Sequence, residues 1–269
     1  MADAALDQQE RLRDALKNVA NEITAYAQTN NQTWPFVVLP LFESFAMGHF
    51  EHSAAEYIAV NNLVKHEERE AYEIFANQHG EEWVKESHMI RHGNLDLLDQ
   101  NQENYNPYIT QKTDGGFIRD IDRDLYSART SQSPPMKAYG PTLNMNLDSI
   151  AKNALLTEAV LALRNETVLS HIKPFTALPA EEHMDFHTDS EADHPHAFML
   201  TPVHSKVHDA SSPIVATLTS TVAWDASMLN LLPATVEGIH CVVKNDCGQN
   251  FTYEVSGTLC ILFGRRRLA

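Results

Sequence analysis

Pro213-Ile214-Val215-Ala216-Thr217-Leu218-Thr219-Ser220-Thr221-Val222-Ala223-Trp224 is the stretch whose reading decides the fold. Its residues are mostly Ile, Val, Thr, Leu and Ala. β-Branched side chains are stiff at χ1 and pack well on a pleated surface, so the run predicts a long strand. Further strands are expected downstream, over Gly238 to Lys244, Asn250 to Val255 and Thr258 to Phe263. The turn formers Asn245-Asp246-Cys247-Gly248 and Ser256-Gly257 separate them. Phe198-Met199-Leu200 leads into Thr201-Pro202-Val203 upstream, and Asp225 to Leu232 fits a short helix with Asp225 as its cap. Consecutive strands joined by short turns imply an antiparallel meander.

The front of the chain reads as helix and loop. Leu12, Leu16, Val19, Ile23 and Tyr26 recur at spacings of 4, 3, 4 and 3, which places one apolar stripe on a helix face. That stripe packs on its own domain or pairs with a second copy as a homodimer. In Trp34-Pro35-Phe36-Val37-Val38-Leu39-Pro40-Leu41-Phe42-Glu43 two prolines bracket an apolar run, the mark of an edge strand or extended crossover. Ser53-Ala54-Ala55-Glu56 has the capping-box pattern and predicts a helix carrying Tyr57, Ile58 and Val60. A second helix is expected from Glu67 to Gln78, ended by Gly80. Asn101 to Pro141 is polar, rich in turn formers, and reads as a long loop. Asp148 to Arg164 predicts another helix. Helices first and a sheet last make an α+β fold in the manner of PAS-like sensor domains. Residues 1–30 form a stalk helix and 31–264 one domain, helical and loop-rich over 31–196 and sheet over 197–264, with 265–269 as a tail.

Composition narrows the function. The 269 residues are 43% hydrophobic, enough for a sizeable core. Lys and Arg number 20 against 36 Asp and Glu, a net charge of −16. Such a surface repels nucleic-acid phosphates and anionic lipid headgroups. No run approaches the roughly 20 apolar residues needed to cross a bilayer, and no apolar segment of a secretory signal follows Met1. Taken alone, that describes a cytosolic protein. A start directly on a helix and an end on three arginines after a strand-like run suggest a piece of a longer one.

Several constellations carry chemistry. His183, His187, His194 and His196 stand beside Asp185, Asp189, Glu191 and Asp193. Imidazole and carboxylate suit a borderline divalent metal such as zinc. No spacing fixes a third ligand, so the plainer readings are a solvated acidic loop or a pH-sensitive cluster. Trp224 and Asp225 at the end of the long strand, with Tyr253, can wall a ligand pocket. Alternatively Trp224 fills the core and Asp225 caps the next helix. Cys241 and Cys247 flank a turn and Cys260 follows, an odd count that allows one internal disulfide at most. Asn31, Asn165 and Asn250 open glycosylation triplets, meaningful only in a secreted context. His66-Glu67-Glu68-Arg69-Glu70 lacks a second histidine at metal-helix spacing and reads as a solvated face. The chain holds no Gly-rich phosphate loop and no Gly-x-Ser-x-Gly elbow, so no catalytic residues are assigned.

A resemblance joins these segments. Pro213-Ile214-Val215-Ala216 leading to Ala223-Trp224-Asp225, Asn230-Leu231-Leu232-Pro233, Gly238-Ile239 and Cys247-Gly248-Gln249-Asn250-Phe251-Thr252-Tyr253 resemble the extracellular Cache/CHASE-like domain of receptor-type adenylate/guanylate cyclases of diatoms and related algae. His194-Pro195-His196, Ser133-Pro134-Pro135, Tyr139-Gly140-Pro141, Asn144-Met145-Asn146 and the Trp34 to Glu43 segment belong to the same pattern, which covers Trp34 to Phe263. The resemblance implies a ligand-sensing domain on the extracellular face of a membrane, between membrane helices that this chain lacks. It also implies a Cys241–Cys247 disulfide, with two buried thiols as the alternative. Residues for cyclase chemistry are absent, so the chain is expected to be no enzyme, to need no cofactor and to bind a small molecule. The rival expectations are a metal-dependent enzyme built on residues 181–196 and a non-sensing dimerisation module.

Overall fold

The computed structural model describes residues 2–49, 55–92, 107–113, 115–133, 143–170, 173–174, 195–223, 233, 235–244, 249–256 and 259–267. The Thr-rich run is a strand, here β8 (Ile214–Ala223), but only one of its two neighbours is the one a meander would give it. On one side it pairs antiparallel with β1 (Ala55–Lys65) and on the other with β7 (Pro195–His204). β1 in turn pairs with β4 (Leu125–Ser133), and β7 pairs with two short pieces, β5 (Val168–Leu169) and β6 (Lys173–Pro174). The path across the sheet is β4-β1-β8-β7-β5. Numbered in chain order within that path, the strands lie 2-1-5-4-3. The closing strands β9 (Ile239–Lys244), β10 (Gln249–Ser256) and β11 (Leu259–Arg267) form a separate three-stranded antiparallel sheet. β2 (Thr110–Thr113) and β3 (Gly116–Arg119) pair as a two-stranded sheet, and the fold is mixed α+β, its three sheets among the described residues built from different parts of the chain.

Three sequence expectations fail for identifiable reasons. The helix expected after Ser53 is β1. Tyr57, Ile58, Ala59 and Val60 are all buried. Burial of four successive residues demands a strand covered on both faces, whereas an amphipathic helix buries one stripe. The loop expected over 101–141 contains β2 (Thr110–Thr113), β3 (Gly116–Arg119) and β4. β4 hid because Ser, Thr, Gln and Arg fill most of its buried positions and only Tyr126 and Ala128 among them are apolar, too short a hydrophobic period to read. The helix expected to stop at Gly80 continues as α3 (Arg69–His92). Trp83 lies beyond the glycine, is buried, and stacks on Tyr72 at 6.4 Å between ring centres, so packing outweighs the cost of a mid-helix glycine.

One face of the central sheet is the core. Alternation along β1 sends Ile58, Val60, Asn62 and Val64 to this face, with Ala216, Leu218 and Val222 beside them on β8 and Met199 and Val203 on β7. The helix α1 (Ala2–Thr29) lays Leu12, Leu16, Val19, Ala20, Ile23 and Ala27 on that surface. The apolar stripe of residues 12–27 is therefore covered by the chain's own sheet. Thr24 fixes the contact by donating from Oγ1 to the His204 carbonyl at 2.9 Å. The run after Trp34 is an extended crossover and not a named strand. Val37 and Leu39 join the α1 cluster, while Phe36 and Val38 join a second cluster with Tyr72, Ala76 and Trp83 of α3. Asn62 anchors the crossover by donating to the Pro35 carbonyl at 2.9 Å.

A charge network ties α3 to the β2–β3 hairpin. Buried Arg69 donates to Glu73 at 3.0 Å, to the Tyr126 hydroxyl at 2.9 Å and to the Asp120 carbonyl at 2.7 Å. Glu73 also accepts from Arg119 and from the Ile109 amide. Asp120 accepts from Arg123, from Asn146 and from the Ile121 amide. Each buried charge here has an opposite charge beside it, the condition for holding ions away from water. Among the described residues no helix is long and apolar enough to cross a membrane.

Candidate functional site

The opposite face of the central sheet is buried and polar. Pleating turns Tyr57, Ala59, Asn61 and Leu63 of β1 toward it. Their cross-strand partners on β8 are Thr221, Thr219 and Thr217, opposite Tyr57, Ala59 and Asn61. On β4 the partners are Gln132, Arg129 and Ser127, opposite Ala59, Asn61 and Leu63. The register slips between Val60 and Asn61, so Thr130 is an extra residue on β4. That bulge brings Arg129 onto the same face as Gln132. Thr217, Thr219, Thr221, Asn61 and Ser127 are 0% exposed and Arg129 is 8% exposed. At the β7–β5 end this face is apolar, where Leu200 and Phe198 meet Leu156 and Val160 of α4 (Ala151–Leu163).

The hydrogen bonds on the polar part are incomplete. Asn61 Nδ2 donates to Thr219 Oγ1 at 2.8 Å and to the Thr217 carbonyl at 3.3 Å. A carbonyl can only accept, so the amide nitrogen must face Thr217 and the amide oxygen must face away. Asn61 Oδ1, Thr221 Oγ1, Ser127 Oγ and Arg129 Nε find no hydrogen-bond partner among the described residues. The Arg129 guanidinium touches Gln132 Oε1 at 3.4 Å, near the outer limit of a hydrogen bond, and lies 5.8 Å from the centre of the Tyr57 ring. No carboxylate pairs with it among the described residues. Buried polar groups in native proteins are nearly always satisfied, and a buried cation nearly always has a counter-charge. Arg69 meets that rule within the same molecule and Arg129 does not.

The side chains expected from sequence fall elsewhere. His196 is buried on β7, opposite Ala223 of β8 and Lys173 of β6. His183, His187 and His194 lie outside the described residues, as do Trp224, Asp225 and Cys247. Among the described residues no group of three or more His, Cys, Asp or Glu stands together as a metal site. Tyr253 is buried on β10, opposite Cys241 of β9 and Leu262 of β11. Cys241 is a half-buried free thiol. Asn31 and Asn165 are exposed, whereas Asn250 is half-buried in β10.

The residues that sequence reading passed over are Asn61, Ser127, Arg129, Thr217, Thr219 and Thr221. One signal was available for them. Thr217, Thr219 and Thr221 alternate with Leu218, Ser220 and Val222, a period-2 polar set that ordinarily marks a solvent face. Only their burial shows that the face is internal. Compared with models of known protein families and with curated proteins, the chain gives no match.

Proposed function

We propose that this chain is a small-molecule-sensing domain with a PAS/Cache-like sheet, and that its ligand binds on the polar face centred on Asn61, Arg129 and Thr219. The observation that carries the reading is a buried sheet face whose hydrogen-bonding groups lack partners among the described residues at Asn61 Oδ1, Thr221 Oγ1, Ser127 Oγ and Arg129 Nε. Orphaned buried polar atoms are expensive unless something completes them. The strand order 2-1-5-4-3 supports the architectural half of the proposal, because PAS-like sheets run in that order. The resemblance to Cache/CHASE-like receptor domains points the same way. In a parent receptor the domain would face the outside of a membrane, with catalysis on another part of the chain. What the face offers is hydrogen bonds and one positive charge, the equipment of a binder.

The same strands supply a route for a signal. Thr217 and Thr219 point to the proposed site, while Leu218 between them packs with α1. A ligand that draws β8 toward it repositions the surface on which Leu16, Val19 and Ile23 rest. Sensing then needs the ligand to favour one seating of α1 over another. Thermal melting of the chain against a metabolite panel of anionic, neutral and cationic compounds tests the proposal. A ligand that stabilises the wild type and not Thr219→Val supports it. A chain whose melting no compound in the panel alters is not a sensor of this kind.

A further inference from the structure

We infer that the ligand is a small carboxylic acid with a hydrogen-bond donor on its α carbon, held by Arg129 and Asn61 together. The inference rests on the sensor reading and deepens it. Its first part follows from charge. Arg129 is nine-tenths buried, and among the described residues its Nε has no partner and its guanidinium meets a neutral amide and an aromatic ring. A guanidinium is charged at every physiological pH and presents a planar fork of donors that matches a carboxylate. A buried, unpaired guanidinium is complete only with an anion.

The second part follows from Asn61. Its amide nitrogen is committed to Thr219 and to the Thr217 carbonyl, which leaves Oδ1 as an unused acceptor. That oxygen calls for an N–H or O–H on the guest. Asn61 and Arg129 stand directly opposite each other in the β1–β4 pair. Side chains so placed start about 5 Å apart, so fork and acceptor serve adjacent atoms of one small molecule. A carboxylate next to an ammonium or a hydroxyl has that form. Ser127 Oγ, also without a partner among the described residues, stands one same-face step along β4 from Arg129 and can take a further polar group of the guest.

Calorimetric titration of the whole chain tests this with glycine, alanine, glycolate and lactate. Propionate serves as the acid without the α donor, and methylamine and ethanol as donors without the acid. The expected result is binding by an α-amino or an α-hydroxy acid, roughly tenfold or more weaker binding of propionate, and no binding of methylamine or ethanol. Arg129→Met should abolish that binding while the unliganded variant melts higher than the wild type, since a buried unpaired charge has gone. A merely structural arginine would give the opposite change in melting. Equal binding of propionate and lactate overturns the role of Asn61. A neutral or cationic compound from the broader panel that binds Arg129→Met as well as wild type overturns the anion and leaves the sensor reading standing. No heat from any compound of any charge overturns both.

Discussion

Asn61 Nδ2 donates to Thr219 Oγ1 at 2.8 Å across the β1–β8 pair, and the bond lies wholly inside the protein. It holds the amide in the orientation that leaves Oδ1 free. Thr219→Val keeps the shape and removes the acceptor. Asn61 then retains its 3.3 Å contact with the Thr217 carbonyl, so the loss is one bond and not an orphaned donor. The expected cost is about 1 kcal/mol, or a fall in Tm of roughly 2–4 °C. Ligand binding should weaken more than stability does, because the amide can now rotate. Differential scanning calorimetry beside ligand titration separates the two effects. Unchanged affinity in this variant would remove Asn61 from the site.

Leu41 precedes α2 (Phe42–Met47) with a left-handed backbone, φ 60°, and its side chain is 67% exposed. An L-residue with a bulky side chain there costs roughly 1–2 kcal/mol. Leu41 offers no side-chain cap to α2. The free amides of Glu43 and Ser44 are instead capped from α3 by the Glu86 carboxylate at 3.1 and 3.0 Å. Replacing Leu41 therefore removes no cap and little buried area. Leu41→Asn, which tolerates that conformation, should stabilise the chain by about 1 kcal/mol. Leu41→Gly should gain less, since glycine also loosens the unfolded chain. Urea midpoints of the two variants check both the sign and the order.

Much of the front half misled because tertiary burial overrode local pattern. Tyr57-Ile58-Ala59-Val60 follows a capping-box sequence, yet its burial on both sides makes it the sheet's second strand from the β4 edge. Strand β4 buries Ser127, Arg129 and Gln132 on one face and only Tyr126 and Ala128 as apolar residues on the other, too short an apolar period to announce it. The α1 stripe and the helix near 151–163 were legible from their helical spacing, and the strands at 214–223, 239–244 and 249–256 from their β-branched composition and the turn formers around them. The site was the least legible part. Thr217, Thr219 and Thr221 look like a wet face until the fold covers them. Arg129 reaches that face only through the bulge at Thr130, a feature of register that no single strand encodes.

Glu73 is the hinge of the network on α3. It is 6% exposed and takes bonds from Arg69, from Arg119 and from the Ile109 amide. Glu73→Ala leaves Arg69 buried with Asp122, whose side chain is mostly in solvent, as its nearest counter-charge. It also orphans the Ile109 amide. Breaking a buried pair from one side costs on the order of 3 kcal/mol. Arg69→Met with Glu73→Leu should recover much of that loss, because no buried charge then remains unpaired. Denaturant melts of the single and double variants give the comparison, and a double variant no better than Glu73→Ala would mean the network fixes geometry as well as charge.

Two carboxylates give stability opposite pH dependences. Burial pushes Asp148 up to about 6 from an ordinary 3.8, against the opposing bond from Thr157 Oγ1 at 2.6 Å. The folded state therefore holds a proton that the unfolded chain has already released across that interval. Its contribution is complete below about pH 4 and is lost as pH rises to about 6. Glu86 behaves in reverse. Burial works against its charge, but the donations from Glu43 and Ser44 outweigh it and hold the group below its ordinary 4.5. Its contribution is present above that value and is lost as pH falls through the lowered one. Asp148→Asn keeps an acceptor for Thr157 and removes the titration. It should raise stability at pH 7 by on the order of 2 kcal/mol and flatten the decline between pH 4 and 6. Glu86→Gln should instead flatten the acid limb and leave the upper decline in place. Urea midpoints at intervals from pH 3 to 7 for the three proteins would show both limbs, and a wild type whose stability rises from pH 4 to 6 would contradict the assignment to Asp148.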